Sequence, residues 1–300
     1  MTLLAIDSAS LWYRAYYGMP DTLTSPTGEP VNAIRGFIDM TARLITHYRP
    51  DRVILCLDGD WRPSWRVDLF PGYKENRIDD EGEEEEPDLL SPQVPVILDF
   101  FDALGLAIVG VDDYEADDVL ATIATKEKGP IRIATGDRDL FQLVDDDRDV
   151  KIAYLAKGIS SHELVDRSWI TAKYEIPGDR YGLFAMIRGD ASDGLPGIRG
   201  IGEKGAALIA NSFSNMSEVI AAAESGDSKL PANLAKKIVG DIKYAKIATE
   251  LVSCARDVRL PEVSLQLPKS PNAPEDLEKI VTQYGLATSL GRLKAALGWS

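Results

Sequence analysis

Nine acidic residues stand where their side chains could share divalent cations. Asp7 ends the apolar run Leu3-Leu4-Ala5-Ile6, and Asp58 ends Val53-Ile54-Leu55-Cys56-Leu57. Asp137 follows Ile131-Arg132-Ile133-Ala134-Thr135-Gly136, with Asp139 two residues further on. Glu115, Asp117 and Asp118 open a helix-like stretch, and Asp190 and Asp193 sit in Arg188-Gly189-Asp190-Ala191-Ser192-Asp193-Gly194. Each cluster has a plainer explanation. Acids in a helix's first turn are stabilised by its dipole, and Asp and Gly favour turns. A cap needs one acid, however, and three within four residues repel one another unless cations offset them. Hard oxygen ligands without His or Cys suit Mg²⁺ or Mn²⁺. Two such ions roughly 3.5–4 Å apart suit phosphodiester hydrolysis, one lowering the pKa of the attacking water and the other stabilising the leaving oxygen.

The remaining titratable residues exclude other chemistries. Cys56 and Cys254 form no CxxC pair, and His47 and His162 lie in unrelated contexts. A zinc site of thiolates and imidazoles is not supported, and no Ser-His or Cys-His nucleophile is visible. The cysteines read as small buried residues of a reducing compartment. The net charge of −15 argues at first against a nucleic-acid partner. Eight of the acids fall in one run over residues 79–88, and nine are the candidate ligands. Setting those seventeen aside turns −15 into +2. The acidity is compatible with bound cations, which neutralise locally. No basic leader precedes MTLLAIDSAS and no apolar run is long enough to span a bilayer. A cytoplasmic protein with no membrane association is therefore expected.

The carboxylates need elements to bring them together. Residues 3–6, 53–57, 106–109, 131–135 and 150–154 read as strands; 8–17, 32–48, 92–104 and 115–128 read as helices. Strands alternating with helices imply an α/β fold with a mainly parallel sheet. Such sheets bind ligands outside the carboxyl ends of their strands, and three strand ends here carry Asp. Beyond about His162 strand signals fade and helical patterns take over. The domain change is placed near Ile176-Pro177-Gly178. The division is a catalytic domain over 1–176 with a clamp near 60–95, a helical domain over 177–265, and two helices over 266–300 around Tyr284-Gly285. The acidic run over 79–88 is expected to be mobile when unliganded.

Two further motifs point at nucleic acid. Gly197-Ile198-Arg199-Gly200-Ile201-Gly202-Glu203-Lys204 reads as a glycine-rich hairpin entering a helix. Its backbone N–H groups and the helix N-terminus favour a phosphate, with Arg199 and Lys204 adding charge. Such a hairpin holds backbone without reading bases. Pro71-Gly72-Tyr73-Lys74-Glu75-Asn76-Arg77 supplies an aromatic and two cations. That combination could stack a base and grip a phosphate, although alone it also describes a solvated helix face.

In order along the chain, AIDSAS with Tyr13-Arg14-Ala15, CLDGD, PGYKENR, YEADDVLAT, ATGDRDLFQL, IRGDASDGLPG and GIRGIGEKGAALI resemble the bacterial 5′–3′ exonuclease and flap endonuclease family, which includes the N-terminal nuclease domain of DNA polymerase I. The resemblance spans Asp7 to about Ala207 and, with no polymerase segment following, describes a free-standing nuclease. It implies a PIN-like domain, a helix-three-turn-helix module and a clamp passing a 5′ single strand. It implies that Asp7, Asp58, Glu115 and Asp117 serve a first metal and that Asp117, Asp137, Asp139 and Asp193 serve a second, with Asp118 and Asp190 nearby. By the same resemblance Lys74 and Arg77 grip phosphate, Tyr73 stacks, Arg14 touches the 5′ strand or scissile phosphate, and the hairpin from Gly197 to Gly202 holds K⁺ through carbonyls. The implied partner is DNA with a 5′ flap, nick or free 5′ end, or an RNA primer strand, bound by a monomer. The acidic run departs from the family, where a short link is commoner. A haloacid-dehalogenase-like phosphatase is disfavoured because Asp7-Ser8-Ala9 lacks its second Asp. A minimal PIN ribonuclease is disfavoured by the hairpin, and a non-catalytic DNA-structure binder by the intact carboxylates.

Overall fold

The computed structural model describes residues 1–78, 87 and 89–299. The acidic run over 79–88 thus lies outside the described residues apart from Pro87. Leu3, Leu4, Ala5 and Ile6 are all fully buried, as a strand covered on both faces must be. This strand, β1 (Leu3–Asp7), pairs in parallel with β2 (Arg52–Cys56) on one side and β4 (Ile131–Thr135) on the other. β3 (Ala107–Val109) and β5 (Val150–Tyr154) extend the sheet in parallel. With β6 (Glu163–Val165) at one edge the order is β3-β2-β1-β4-β5-β6, so the chain winds one way from β1 and returns to its other side for β4. That reversal creates the switch point at which an open α/β sheet presents a ligand crevice.

β6 (Glu163–Val165) corrects the expectation that strands end near His162: it pairs antiparallel with β5 at the edge. Three residues are too few to show alternation, and the pairing comes from tertiary contact with β5.

Side chains alternate between two cores, as the pleat requires. Leu4, Ile6, Val53 and Leu55 face α1 (Ser8–Gly18), α2 (Asn32–Tyr48) and α4 (Gln93–Leu104). Gly36 lets α1 and α2 close together, since a Cβ there would stand 2.7 Å from that of Ala15. α12 (Pro274–Tyr284) and α13 (Ala287–Ala296), separated by Gly285 at φ +66°, complete this layer through Leu277 and Leu293. Arg35 donates to the Gly285 carbonyl at 2.9 Å. Leu3, Ala5, Ile54 and Cys56 face α5 (Ala116–Lys126) and a continuous apolar interior. That interior runs through α7 (Tyr181–Arg188), α8 (Glu203–Ser212), α9 (Met216–Ser225), α10 (Ala232–Gly240) and α11 (Ile242–Val252). The helices from α7 to α11 therefore share one core with the sheet face that carries the strand-end acids.

Candidate active site

Asp7 pairs in register with Cys56, and Ile6 with Ala134. Asp58 and Asp137 thus each emerge two residues past the end of a strand flanking β1. Neighbouring strands lie about 4.8 Å apart, so the acids reach the same edge by construction. An open cleft of about 1350 Å³ lies over that edge. Its walls include Asp7, Asp58, Glu115, Asp117, Asp137, Asp190 and Asp193, with Arg14, Lys74 and Arg77.

Asp7, Asp58, Glu115, Asp137, Asp190 and Asp193 are each held by a local device. Asp7 caps α1 by accepting from the Ser10 amide at 3.1 Å and accepts from the Thr135 hydroxyl at 2.6 Å. Asp58 accepts from the Ala116 amide at 2.7 Å, which ties the β2 end to the start of α5. Glu115 is the cap of α5, in a reciprocal capping box with Asp118. It also accepts from Tyr73 Oη at 2.8 Å and pairs with Lys74 and Arg66. Asp137 accepts from the Asp139 amide at 2.8 Å. Asp190 is bound by Arg138 at 2.8 Å and by the Ser192 amide at 2.9 Å, and Asp193 pairs with Arg77.

The segment from Pro71 to Arg77 is fastened to the Asp190 loop. The Lys74 amide donates to the Asp193 carbonyl at 2.9 Å, and Asn76 and Arg77 each reach the Ser192 carbonyl at 3.2 Å. Gly194, at φ +68°, permits this approach, because a Cβ there would meet the Gly72 carbonyl oxygen at 2.4 Å.

Burial and mutual repulsion dominate the electrostatics. Burial first, then Asp58 and Asp137, push the Asp7 carboxyl up to about 7 against the pull of its hydrogen bonds. Burial raises Asp58 above the usual carboxylate range although Lys74 opposes it. Asp117 rises well above that range through burial, Asp137 and Asp7. Asp139 does so through burial, Asp137, Asp190 and Asp193, and Asp193 is raised chiefly by burial. Asp190 is lowered: burial works against its charge, but the Ser192 and Arg138 hydrogen bonds outweigh it. Lys74 is held above its ordinary value, because Glu115, Asp193 and Asp58 outweigh its burial.

This donor set fits hard divalent cations. It consists of carboxylate oxygens whose charged forms are disfavoured by burial and by one another, and positive charge relieves both. Among the described residues no three acids stand already arranged to hold an ion. Lys74 and Arg77 take up Glu115 and Asp193 instead.

The structure corrects several expectations. Asp118 is fully buried: Arg66 binds it through both terminal nitrogens, and the Ala255 and Glu115 amides donate to it at 2.7 and 3.2 Å. Its lone pairs are spent on the fold. Tyr73 is 4% exposed, with its hydroxyl on Glu115, so its ring is not offered for stacking. Its place just ahead of two cations, Lys74 and Arg77, in the sequence concealed that burial. Ile198 and Ile201 are buried and anchor the hairpin, leaving only its backbone, Arg199 and Lys204 for a ligand. Gly197 sits at φ +62° against the Arg188 carbonyl, whereas a Cβ at Gly202 would meet nothing within 4 Å. Arg14 lines the cleft, 3.4 Å from the Ala156 carbonyl.

Sequence reasoning passed over Arg66, Thr135 and Arg138, which fix Asp118 and Glu115, Asp7, and Asp190 respectively. Arg66 lies in α3 (Ser64–Leu69) between Trp65 and Val67, and an arginine inside a short apolar stretch was the available signal.

Two family models cover the chain: 5′-3′ exonuclease, N-terminal resolvase-like domain, over residues 2–175, and 5′-3′ exonuclease, C-terminal SAM fold, over residues 176–275. A 5′-3′ exonuclease of Streptomyces coelicolor is 44% identical over 299 residues, covering 98% of this chain and 99% of that one. A 5′-3′ exonuclease of Mycobacterium tuberculosis is 40% identical over 309 residues, covering 98% and 97%. The fold is shared with the bacteriophage T5 D15 flap endonuclease solved with DNA and metal ions, at a TM-score of 0.66 and 15% identity over 99% and 98% of the two chains. Strand-end acids, capped helix and glycine-rich hairpin thus occur in a chain matched along most of its length, and it belongs to the 5′-3′ exonuclease family.

Proposed function

We propose that this nuclease hydrolyses phosphodiester bonds near the 5′ end of flapped, nicked or free-ended DNA, including RNA primer strands, with Mg²⁺ or Mn²⁺. The observation that carries the reading is the meeting of acids from the ends of β1, β2 and β4 with the first turn of α5 in one cleft beside Lys74, Arg77 and Arg14. Asp7, Asp58, Glu115 and Asp117 hold one ion, and Asp117, Asp137, Asp139 and Asp193 hold the other. Bound there, two divalent ions supply the charge that activates water and stabilises the leaving oxygen.

The chain's own residues do the rest. Lys74 and Arg77 exchange Glu115 and Asp193 for the scissile phosphate, which orients it and frees those carboxylates as ligands. Thr135 and the Ser10 amide keep Asp7 aimed into the cleft as its charge changes. Arg14, which lines the same cleft, receives the 5′ strand. The hairpin backbone at Gly200 to Gly202, with Arg199 and Lys204, grips the duplex away from the cut, in company with K⁺. The protein acts as a cytoplasmic monomer on this reading.

The test is an assay of 5′-labelled flap, nicked and single-stranded DNA with Mg²⁺, Mn²⁺ or chelator. Metal-dependent release of short 5′ products from the flap and nick is expected. Release of phosphate alone, or binding without cleavage, would replace this reading with a phosphatase or a structural binder.

A further inference from the structure

Tyr73, the aromatic just ahead of the cleft cations, is buried with its hydroxyl on Glu115, but a second aromatic stands beside Lys74. Of the five tryptophans, Trp12, Trp169 and Trp299 pack with the two cores. Trp65 lies against Tyr114, with the Arg66 guanidinium 4.3 Å from its ring centre. Trp61 is half-buried in the wall of the cleft. Among the described residues it joins neither core and has no ring or cation against its indole. Its loop is fixed from both sides. The Gly59 and Asp60 amides donate to the Tyr114 carbonyl at 3.0 and 3.1 Å, and a Cβ at Gly59 would stand 2.1 Å from the Val111 carbonyl oxygen. Arg62 donates through Nε to the Tyr73 carbonyl at 2.7 Å and through Nη2 to the Pro71 carbonyl at 2.8 Å. Lys74 Nζ donates to the carbonyl of Trp61 itself at 3.1 Å.

We propose that Trp61 stacks on the unpaired nucleobase immediately 5′ of the scissile phosphate and so holds that phosphate beside Lys74. This rests on the nuclease reading above. The ammonium that takes the phosphate is tied to the backbone of Trp61, so the indole stands within one residue of the phosphate grip. An aromatic on a rigid loop offers a large apolar face at little entropic cost. Every base has a π-face to cover it, so the contact accepts any sequence. A base inside the duplex is already stacked on both faces, whereas the first base of a flap has a face free.

The experiment is a single-turnover cleavage assay of a 5′-flap DNA with a mapped cut, carrying either a normal base or an abasic nucleotide just 5′ of that cut. Wild type, W61L and W61F are compared. Wild type should cut the abasic flap about 10-fold less efficiently than the intact one. W61L should lose the same factor on the intact flap and nothing further on the abasic flap, because both changes remove one contact. W61F keeps a ring and should retain most of the efficiency together with the sensitivity to the missing base. A loss of fold alone would lower W61L equally on both flaps. Circular dichroism checks each fold, and W61S replaces W61L if the latter is unfolded. No abasic effect in wild type, losses that multiply in W61L, or W61F as impaired as W61L would each overturn the proposal. Failure of wild type to cut the intact flap with Mg²⁺ or Mn²⁺ would instead overturn the nuclease reading itself.

Discussion

Arg66 holds Asp118 with two parallel hydrogen bonds of 2.7 and 2.8 Å, and its Nη1 also reaches Glu115. The arginine is 3% exposed and Asp118 is fully buried. Burial alone would lower the Arg66 pKa, yet Glu115, Tyr73 and Asp118 raise it above its ordinary value. Removing the cation would strand two carboxylates away from water. Breaking a buried pair in this way costs about 3–5 kcal/mol. Arg66→Met should therefore lower the urea unfolding free energy by that order. Arg66→Lys, which keeps the charge but not the paired geometry, should lose less. Equal stability of Arg66→Met and wild type would mean that the network contributes nothing net.

Asp137 separates chemistry from binding. It stands just past the end of β4, and among the described residues its carboxylate accepts only the Asp139 amide, so substitution leaves no described buried partner unpaired. Asp137→Asn should keep fold and DNA affinity while cleavage falls by about 100-fold or more, the scale seen when one electrostatic stabiliser is lost. Single-turnover cleavage and anisotropy on the same flap substrate measure the two effects. Near-normal turnover would remove Asp137 from the metal-binding set.

The raised carboxylates make the free protein sensitive to alkali. An acid whose folded pKa exceeds its unfolded value contributes stability that is complete below the unfolded value and lost as pH rises through the folded one. Asp7 moves from 3.8 to about 7, and Asp58, Asp117, Asp139 and Asp193 shift the same way. Asp166 and Asp190 shift downward, so their contributions change only in acid and stay constant across a pH 5.5 to 8 comparison, where ordinary carboxylates remain ionised. Without divalent metal the melting temperature should fall by several degrees from about pH 5.5 to about pH 8. Asp7→Asn should flatten the fall. Mg²⁺ should raise the melting temperature more at the higher pH, because ligands must be deprotonated to bind. A pH-independent melting temperature in wild type would show that the acids do not burden the fold.

The strands and helices that carry acids were legible because their signals are local. An apolar run followed by Asp marks a strand end, and Leu3–Asp7, Arg52–Cys56 and Ile131–Thr135 all put their acid at or just beyond the carboxyl end. The residues that partner those acids were not legible. Arg66 meets Asp118 across 52 positions, Arg138 meets Asp190 across 52, and Thr135 meets Asp7 across 128. No periodicity encodes such pairs. The same blindness misread Tyr73, whose hydroxyl is claimed by Glu115 42 positions away. Asp118 looked like its neighbour because a single residue, about 100° of helix, separates Asp117, which lines the cleft, from Asp118, which faces the core.

The hairpin allows a prediction in which steric and functional demands separate. Gly197 adopts φ +62°, and a Cβ there would lie 2.6 Å from the Arg188 carbonyl oxygen. Gly197→Ala should thus destabilise the fold itself, by about 1–3 kcal/mol for a strained backbone position. Gly202 has ordinary extended backbone at φ −87°, caps α8 and leaves open space around a built Cβ. Nothing in the free protein opposes Gly202→Val, so its melting temperature should match wild type. A duplex phosphate brought up to the N-terminus of α8 would meet the added methyls, and duplex affinity should fall by about 10-fold or more. Lys204→Glu, exposed in the first turn of the same helix, should weaken binding through charge and reduce its salt dependence by about one counterion. Cleavage at saturating substrate should be less affected in both. An anisotropy titration across salt concentrations reads affinity and slope together, and unchanged affinity in Gly202→Val would mean that the duplex is held elsewhere on the helical region.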